Sequence, residues 1–221
     1  MGCPNHELMN SHTLSESALL FYWNLDVLTE STDPDTLVES GVCGNLSGSK
    51  LKIYRFQCFE KLTKIGREAL QRYFDKVFPP AELFMLVQKK KENLSRQLNK
   101  DQFDLLFPVD KSIPTSSAFD VTIMYKLLRN YGPNLPTPTK GWGKQPEPGQ
   151  KSETDDVERI RVYRNEVEHK TPAISVMEKE DCRVKWRDLC QALLRLSEGS
   201  LEQDIMDLKH QPENVITSCR V

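Results

Sequence analysis

The sequence predicts an all-α protein with four or five core helices. Apolar residues recur every three or four positions over five long segments. No segment alternates apolar and polar residues as a strand does, and no stretch repeats at a fixed length. The chain has 221 residues, 38% hydrophobic and 28% charged, which is enough for one globular domain with tails. These observations favour a helical bundle.

Five segments have a strong helical pattern, and their ends have recognisable stop signals. Two prolines at 79 and 80 end the first segment, and Gly199 closes the last. The predicted helices run approximately from Leu51 to Val77, Ala81 to Leu98, Ser117 to Asn130, Asp155 to His169 and Lys179 to Leu196. The apolar segment from Asp101 to Pro108 predicts a turn or a short helix.

Segments of weak pattern divide the chain into three parts. Residues 1–49 form a tail with one short helix, Ser15 to Thr29, and a linker rich in glycine and serine. Residues 50–200 form the helical domain. Residues 201–221 form a polar C-terminal tail, in which a helical turn or two is expected first.

A long loop from Tyr131 to Ser152 precedes the fourth predicted helix. It contains five prolines and four glycines around Trp142. This composition is too constrained for a helix, and the segment is too long for an ordinary connection. The loop is therefore either packed on the bundle through Trp142 or a flexible excursion.

Charge and apolar content limit the function classes. The chain has 30 Lys and Arg against 32 Asp and Glu, a formal net charge of -2 and a pI near 6.1. No global positive field attracts polyanions, so any contact with nucleic acid must be local. No apolar run approaches the roughly 20 residues of a membrane span, and no signal peptide is present. The six scattered cysteines favour reduced thiols, and we expect a soluble, cytoplasmic protein with no membrane partner.

The segment from Arg159 to His169 contains side chains suited to chemistry on a phosphodiester. At 100° per residue, Arg161, Asn165 and His169 fall at about +60°, +100° and +140° from Arg164 and share one ridge of the helix. Arg164 borders this ridge on the side of the core. Arginine can hold a phosphate with its fork, and histidine can exchange a proton near pH 7. Such chemistry needs no metal and no organic cofactor.

The same residues also fit a structural role. Arg164 can pair with Glu166 or Glu168 on its own helix. His169 can cap the C-terminus of the helix. Composition and spacing leave both interpretations open.

The segment Tyr163-Arg164-Asn165-Glu166-Val167-Glu168-His169 resembles the Arg-Asn-x-x-x-His motif of the HEPN superfamily. These all-α domains are named for higher eukaryotes and prokaryotes nucleotide binding. The order of further segments resembles the animal subgroup typified by the DAZ-interacting zinc-finger ubiquitin ligase, and the resemblance covers about residues 50–200. Those segments are Thr63 to Leu70, Asp104 to Pro108, Phe119 to Asn130, Gly141-Trp142 and Trp186.

This resemblance implies an RNA-directed function. Active HEPN domains are metal-independent endoribonucleases that work as dimers, with two motif helices facing each other. In this chain Arg164 would neutralise the scissile phosphate, Asn165 would orient the groups and His169 would act as general acid or base. The expected partners are single-stranded RNA and a second copy of the chain, in cellular defence or RNA turnover. The residues expected to contact RNA beside the catalytic set are Arg161, Arg159 and Lys170.

A second interpretation is a catalytically inactive HEPN module that mediates protein assembly in signalling. Glu166 and Glu168 lie within the motif, where they repel phosphate or compete for Arg164. The absence of a net positive charge points the same way. The sequence leaves the catalytic and the inactive interpretations open.

Overall fold

The computed structural model describes residues 49–110, 112–169 and 178–208. Within these ranges it contains seven α-helices, one 3₁₀ turn at Ser116–Ala118 and no strand, which confirms the all-α class. None of these helices is long and apolar enough to cross a membrane. The helix predicted over Ser15 to Thr29 lies outside the described residues. The seven helices are α1 (Ser49–Val77), α2 (Pro80–Gln97), α3 (Lys100–Leu106), α4 (Val121–Tyr131), α5 (Glu153–Glu168), α6 (Lys179–Leu196) and α7 (Glu202–Asp207).

Helices α1, α5 and α6 form the centre of the bundle, and each packs along the other two. The rings of Phe59 on α1 and Tyr163 on α5 meet edge to face, with centroids 5.6 Å apart. The three helices meet at Gly66 of α1, where an added Cβ would lie 3.4 Å from Ile160 and 3.5 Å from Leu193. The motif helix α5 is thus buried along one side by two long neighbours, as its apolar stripe predicts.

Helix α4 covers one side of this centre and begins after Asp120. The Asp120 carboxylate accepts a hydrogen bond from the backbone N–H of Ile123 at 2.7 Å and caps the helix. The predicted start at Ser117 is wrong, because the Ser117 carbonyl accepts from Arg67 of α1 at 2.5 Å instead of from a helical N–H. Arg67 also donates to the Phe119 carbonyl at 3.1 Å and fixes this segment against α1.

Helices α2 and α3 form a hairpin beside the centre. The buried residues of α2 are Leu83, Val87 and Leu94, which are the positions that the apolar pattern predicts. The apolar segment after α2 forms a helix, whose first turn is capped by the Asn99 side chain accepting from the Gln102 N–H at 2.8 Å.

The loop between α4 and α5 is packed on the bundle, which decides between the two predicted alternatives. The Trp142 ring meets Tyr125 of α4 edge to face, with centroids 5.7 Å apart. The Gly143 backbone N–H donates to the Glu158 carboxylate of α5 at 2.6 Å. Gly143 has a φ of +87°, which glycine adopts without strain and other residues rarely do. The loop therefore contacts both helices that it connects.

The folded domain continues past the boundary expected at residue 200. Gly199 ends the α6 segment with a φ of +80°, as predicted. Leu201 and Ile205 are completely buried, and α7 packs against α1. The first residues of the predicted polar tail thus belong to the core.

Candidate nucleic-acid interface

A capping box fixes the start of the motif helix α5. The Ser152 hydroxyl accepts from the Asp155 N–H at 3.1 Å, and the Asp155 carboxylate accepts from the Ser152 N–H at 3.2 Å. Thr139 of the preceding loop donates its N–H and its hydroxyl to the same carboxylate at 2.7 and 2.8 Å. Burial acts to raise the pKa of Asp155, but the hydrogen bonds from Ser152 and Thr139 outweigh it and lower that pKa below its ordinary value.

Glu158 joins the loop, α4 and α5 in one hydrogen-bonded group. Its carboxylate is completely buried and accepts from the Tyr125 hydroxyl at 2.6 Å and from the Gly143 N–H at 2.6 Å. Burial and the hydrogen bond to Glu158 raise the pKa of Tyr125 to about 12. Arg161 donates to the other carboxylate oxygen at 2.8 Å, which balances the buried charge.

Arg159 does not lie at the surface, so the expected contact between Arg159 and RNA is wrong. Its side chain has no exposed area. The guanidinium contacts Asp188 of α6 at 2.8 Å and Asp156 at 3.1 Å, and donates to the Glu147 carbonyl. A charge at this depth must be paired, and these acceptors pair it inside the bundle, where a phosphate has no access.

The buried charge network extends to α6. Arg195 donates two hydrogen bonds of 2.7 Å to Asp156. The Tyr163 hydroxyl donates to Asp188 at 2.9 Å, and burial together with the Asp188 charge raises the pKa of Tyr163 far above its ordinary value. The network therefore ties the middle of α5 to α6.

Arg161 contacts two side chains of the bundle, but part of its own side chain is exposed. Its guanidinium pairs with Glu158 and lies 5.1 Å from the centroid of the Tyr125 ring, a cation–π distance. The side chain retains 21% exposure. About a fifth of the Arg161 side chain is therefore accessible to a ligand.

Arg164 and Asn165 lie together near the C-terminal end of α5. The Arg164 Nε contacts Glu168 Oε1 at 2.6 Å, and Nη1 donates to the Asn165 side-chain oxygen at 3.2 Å. The side chains of Arg164 and Glu168 are 25% and 48% exposed. Ion pairs of such exposure contribute roughly 0–1 kcal/mol, so this pair can be replaced by a stronger anion.

His169 caps α5 and is exposed. Its backbone N–H donates to the Asn165 and Val167 carbonyls. The backbone position fits the structural interpretation of a C-terminal cap, while the exposed imidazole is accessible to a ligand. Lys170, the third residue expected to contact RNA, lies outside the described residues.

A cavity of about 300 Å³ lies between α1, the start of α4 and the end of α5. Arg164 lines it, whereas His169 follows the last lining residue in the chain and is not part of the wall. The lining side chains are Glu60, Thr63, Lys64 and Arg67 of α1, Asp120 and Val121 at the start of α4, and Arg164, Val167 and Glu168 of α5. The cavity therefore contains Arg164, which borders the predicted ridge, whereas His169 of the ridge lies beyond the cavity.

The three cationic side chains that line the cavity differ in their bonding partners. Arg67 binds the two backbone carbonyls before α4 and is part of the fold. Lys64 is 71% exposed and lies 3.4 Å from Glu60 on its own helix. Lys64 and Arg164 are thus the cations of this wall that a bound anion can reach. In the part of the chain that the structure describes, no group of three His, Cys, Asp or Glu side chains is placed to hold a metal ion.

Comparison with known proteins assigns the family. The family model described as DZIP3/hRUL138-like HEPN matches residues 80–218, more than half of the chain. The chain belongs to this HEPN family. The match includes the whole motif from Arg164 to His169 and therefore confirms the resemblance on which the predicted site rests.

Two related proteins share this HEPN region. The E3 ubiquitin-protein ligase DZIP3 of Homo sapiens is 26% identical over 159 residues, which cover 68% of this chain and 13% of the ligase. DZIP3 of Mus musculus shows the same identity and coverage. The chain thus spans about an eighth of the length of these relatives. No solved structure matches the chain.

Helix α1 lies before the HEPN match, although it completes the bundle. The resemblance was expected over residues 50–200, whereas the match covers 80–218. Helix α1 packs along α5 and α6 and supplies Lys64 to the cavity. The candidate interface is therefore built from the HEPN region and from one helix that precedes it.

The sequence did not predict the buried charge network between α5 and α6 or the contribution of α1 to the cavity wall. Asp156 lies at about -80° from Arg164, inside the buried stripe that contains Ile160 and Tyr163, and this angle was a usable signal. The position of Lys64 had no comparable signal, because it depends on how α1 crosses α5.

Proposed function

We propose that this chain is an RNA-binding HEPN protein whose dimer cleaves single-stranded RNA without a metal ion. The supporting observation is the arrangement at the end of α5, where Arg164 lines the cavity and His169 is exposed one residue beyond its wall. Asn165 accepts a hydrogen bond from Arg164 and orients its guanidinium. The HEPN motif gives these three residues their proposed roles.

In the proposed reaction, the ribose 2′-hydroxyl attacks the adjacent phosphorus. One His169 accepts the hydroxyl proton, and the His169 of a second copy donates a proton to the leaving 5′-oxygen. Arg164 stabilises the charge that develops on the phosphate oxygens. The products are a 2′,3′-cyclic phosphate and a 5′-hydroxyl, so DNA, which lacks the attacking group, is not cleaved.

A dimer reconciles RNA binding with the acidic composition. Two copies of Arg164 in one cleft create a local positive potential in a chain whose net charge is -2. In this proposal Arg161, through the exposed part of its side chain, and Lys170 extend the contact along the RNA. We propose a cytoplasmic role in cellular defence or RNA turnover, on the basis of the family resemblance.

The test is cleavage of an end-labelled single-stranded RNA in the presence of EDTA. We expect Arg164→Ala and His169→Ala each to lower the cleavage rate about 100-fold or more, because each removes a group that acts in the transition state. Arg96→Ala is the matched control, since Arg96 forms the same type of exposed pair with Glu92 on α2. An all-DNA strand should remain intact.

Cleavage at the wild-type rate by both variants would mean that the site at Arg164 and His169 is not responsible, and the proposed catalysis would be wrong.

Arg161 and Arg164 of α5 both pair with acidic side chains, which favours a second proposal, an inactive HEPN interaction module. Arg161 contacts Glu158, and Arg164 contacts Glu168, so neither guanidinium is without an acidic partner. A tight protein complex that survives His169→Ala, together with no RNA affinity at low salt, would support this module. RNA binding that requires Arg164 would contradict it.

A further inference from the structure

The cavity beside Arg164 has the size and the walls of a nucleotide site. Its volume of about 300 Å³ is at the lower end of the range for small-ligand pockets. Val121 and Val167, which are 4% and 7% exposed, provide a small apolar surface on two helices, and Lys64 and Arg164 provide cations on α1 and α5. Glu60, Asp120 and Glu168 also line the cavity, so a bound phosphate must replace the acids that now pair with its cations. An apolar patch beside two cations fits a base attached to a phosphate.

Lys64 and Arg164 are each paired with an acid one turn away on their own helix. Lys64 Nζ lies 3.4 Å from Glu60, and Arg164 Nε lies 2.6 Å from Glu168. Glu60 and Glu168 are 41% and 48% exposed, so these pairs contribute little to stability. A phosphate can bind arginine through two parallel hydrogen bonds and therefore competes well with a single carboxylate contact.

We propose that this cavity binds one nucleotide of the RNA, with the phosphate between Arg164 and Lys64 and the base against Val121 and Val167. In the absence of RNA, Glu168 occupies the Arg164 guanidinium, and the phosphate displaces it. The inference rests on the proposed RNA-directed function and adds two elements to it. Lys64 is a phosphate ligand from outside the HEPN match, and Glu168 is an internal competitor.

The first test is the affinity of Lys64→Ala for a fluorescein-labelled 12-nucleotide 2′-O-methyl RNA, which cannot be cleaved. Fluorescence anisotropy should show a Kd about three- to tenfold weaker. The slope of log K against log salt concentration should fall by about 0.7, the value for one lost contact with a single strand. Lys76→Ala is the control, because Lys76 is an exposed lysine of the same helix that pairs with Glu198 outside the cavity.

The second test is Glu168→Gln, which should tighten binding of the same RNA about two- to fivefold because it frees Arg164. Glu166→Gln is the control, since it removes the same charge from α5 at a residue that contacts Lys185 and does not line the cavity. Its gain in affinity should be smaller than that of Glu168→Gln, because Glu166 pairs with Lys185 and not with Arg164. An equal gain in both variants would mean that only the net charge of α5 matters and would contradict the role of Glu168. A purely structural role for Glu168 predicts a lower Tm without any gain in affinity.

A titration with adenosine 3′-monophosphate, followed by NMR, separates this inference from the proposed function. If Arg164→Ala abolishes RNA binding while Lys64→Ala and Glu168→Gln match the wild type, the cavity inference is wrong and the proposed function stands. If the mononucleotide binds in a Lys64-dependent way but RNA does not bind, the nucleotide site stands and the RNA function is wrong. If neither probe binds at low salt, both are wrong.

Discussion

Arg159 and Arg164 lie five residues apart on one helix, yet their surroundings give them opposite roles. Arg159 has no exposed surface and is bound by Asp156 and Asp188. Arg164 keeps a quarter of its side chain exposed and has a replaceable partner in Glu168. Because a buried guanidinium keeps its charge, it requires permanent acceptors, whereas an exposed one can exchange its anion. Burial, not residue type, therefore decides which arginine can contact an external anion.

Arg159→Ala should lower the free energy of unfolding by about 3–5 kcal/mol, because it leaves the buried Asp156 and Asp188 carboxylates short of a partner. Urea denaturation followed by circular dichroism measures this change. Arg164→Ala is the comparison and should change the free energy of unfolding by less than about 1 kcal/mol. If Arg159→Ala instead has wild-type stability and loses RNA affinity, Arg159 contacts RNA after all and its structural role is wrong.

At the scale of elements, the loop before α5 acts as part of the motif helix. Thr139 contacts Asp155, and Gly143 contacts Glu158, so the loop covers two buried acids of α5. Trp142 holds the loop against α4 through its edge-to-face contact with Tyr125. The position of the exposed end of α5 therefore depends on a segment without regular structure.

Trp142→Ala should lower the free energy of unfolding by about 2 kcal/mol, less than the 3–5 kcal/mol typical of a fully buried aromatic residue, because Trp142 is half-buried. Urea denaturation gives the magnitude, and faster hydrogen exchange of the Gly143 amide should report the loosened loop. Wild-type stability in this variant would mean that Trp142 is not what holds the loop, and would leave its ring available for stacking on RNA bases.

At the scale of the whole molecule, helices on both sides of the HEPN match boundary form one core. Helix α1 precedes residue 80, where the match begins, and packs along α5 and α6. Several buried carboxylates lie in this core, and their hydrogen bonds link its stability to pH. The sign differs between the carboxylates, because burial raises the pKa of Asp156, whereas hydrogen bonds keep the pKa of Asp155 below its ordinary value of 3.8. The contribution of Asp155 can be isolated by substitution.

Because the pKa of Asp155 is lower in the folded than in the unfolded chain, its carboxylate stabilises the fold at pH values above the unfolded-state pKa. This contribution is lost as the pH falls through the folded-state pKa. We expect the free energy of unfolding to drop below about pH 4 and to drop less in Asp155→Asn. Urea denaturation at pH 6 and pH 3 measures the difference, with Asp104→Asn as an exposed-acid control. An identical drop in Asp155→Asn and in the wild type would assign the acid sensitivity to other groups.

The sequence alone determined most of the described helices, the family and the motif, because helical periodicity, prolines and a short motif are local properties of the chain. Lys179–Leu196 forms a helix with the predicted bounds, and α1 and α2 differ from their predicted bounds by one or two residues. Only the tertiary structure decided that Arg159 is buried and that Lys64 lies across a cavity from Arg164. These facts depend on how helices distant in sequence cross and on where the loop packs, and neither is set by local spacing.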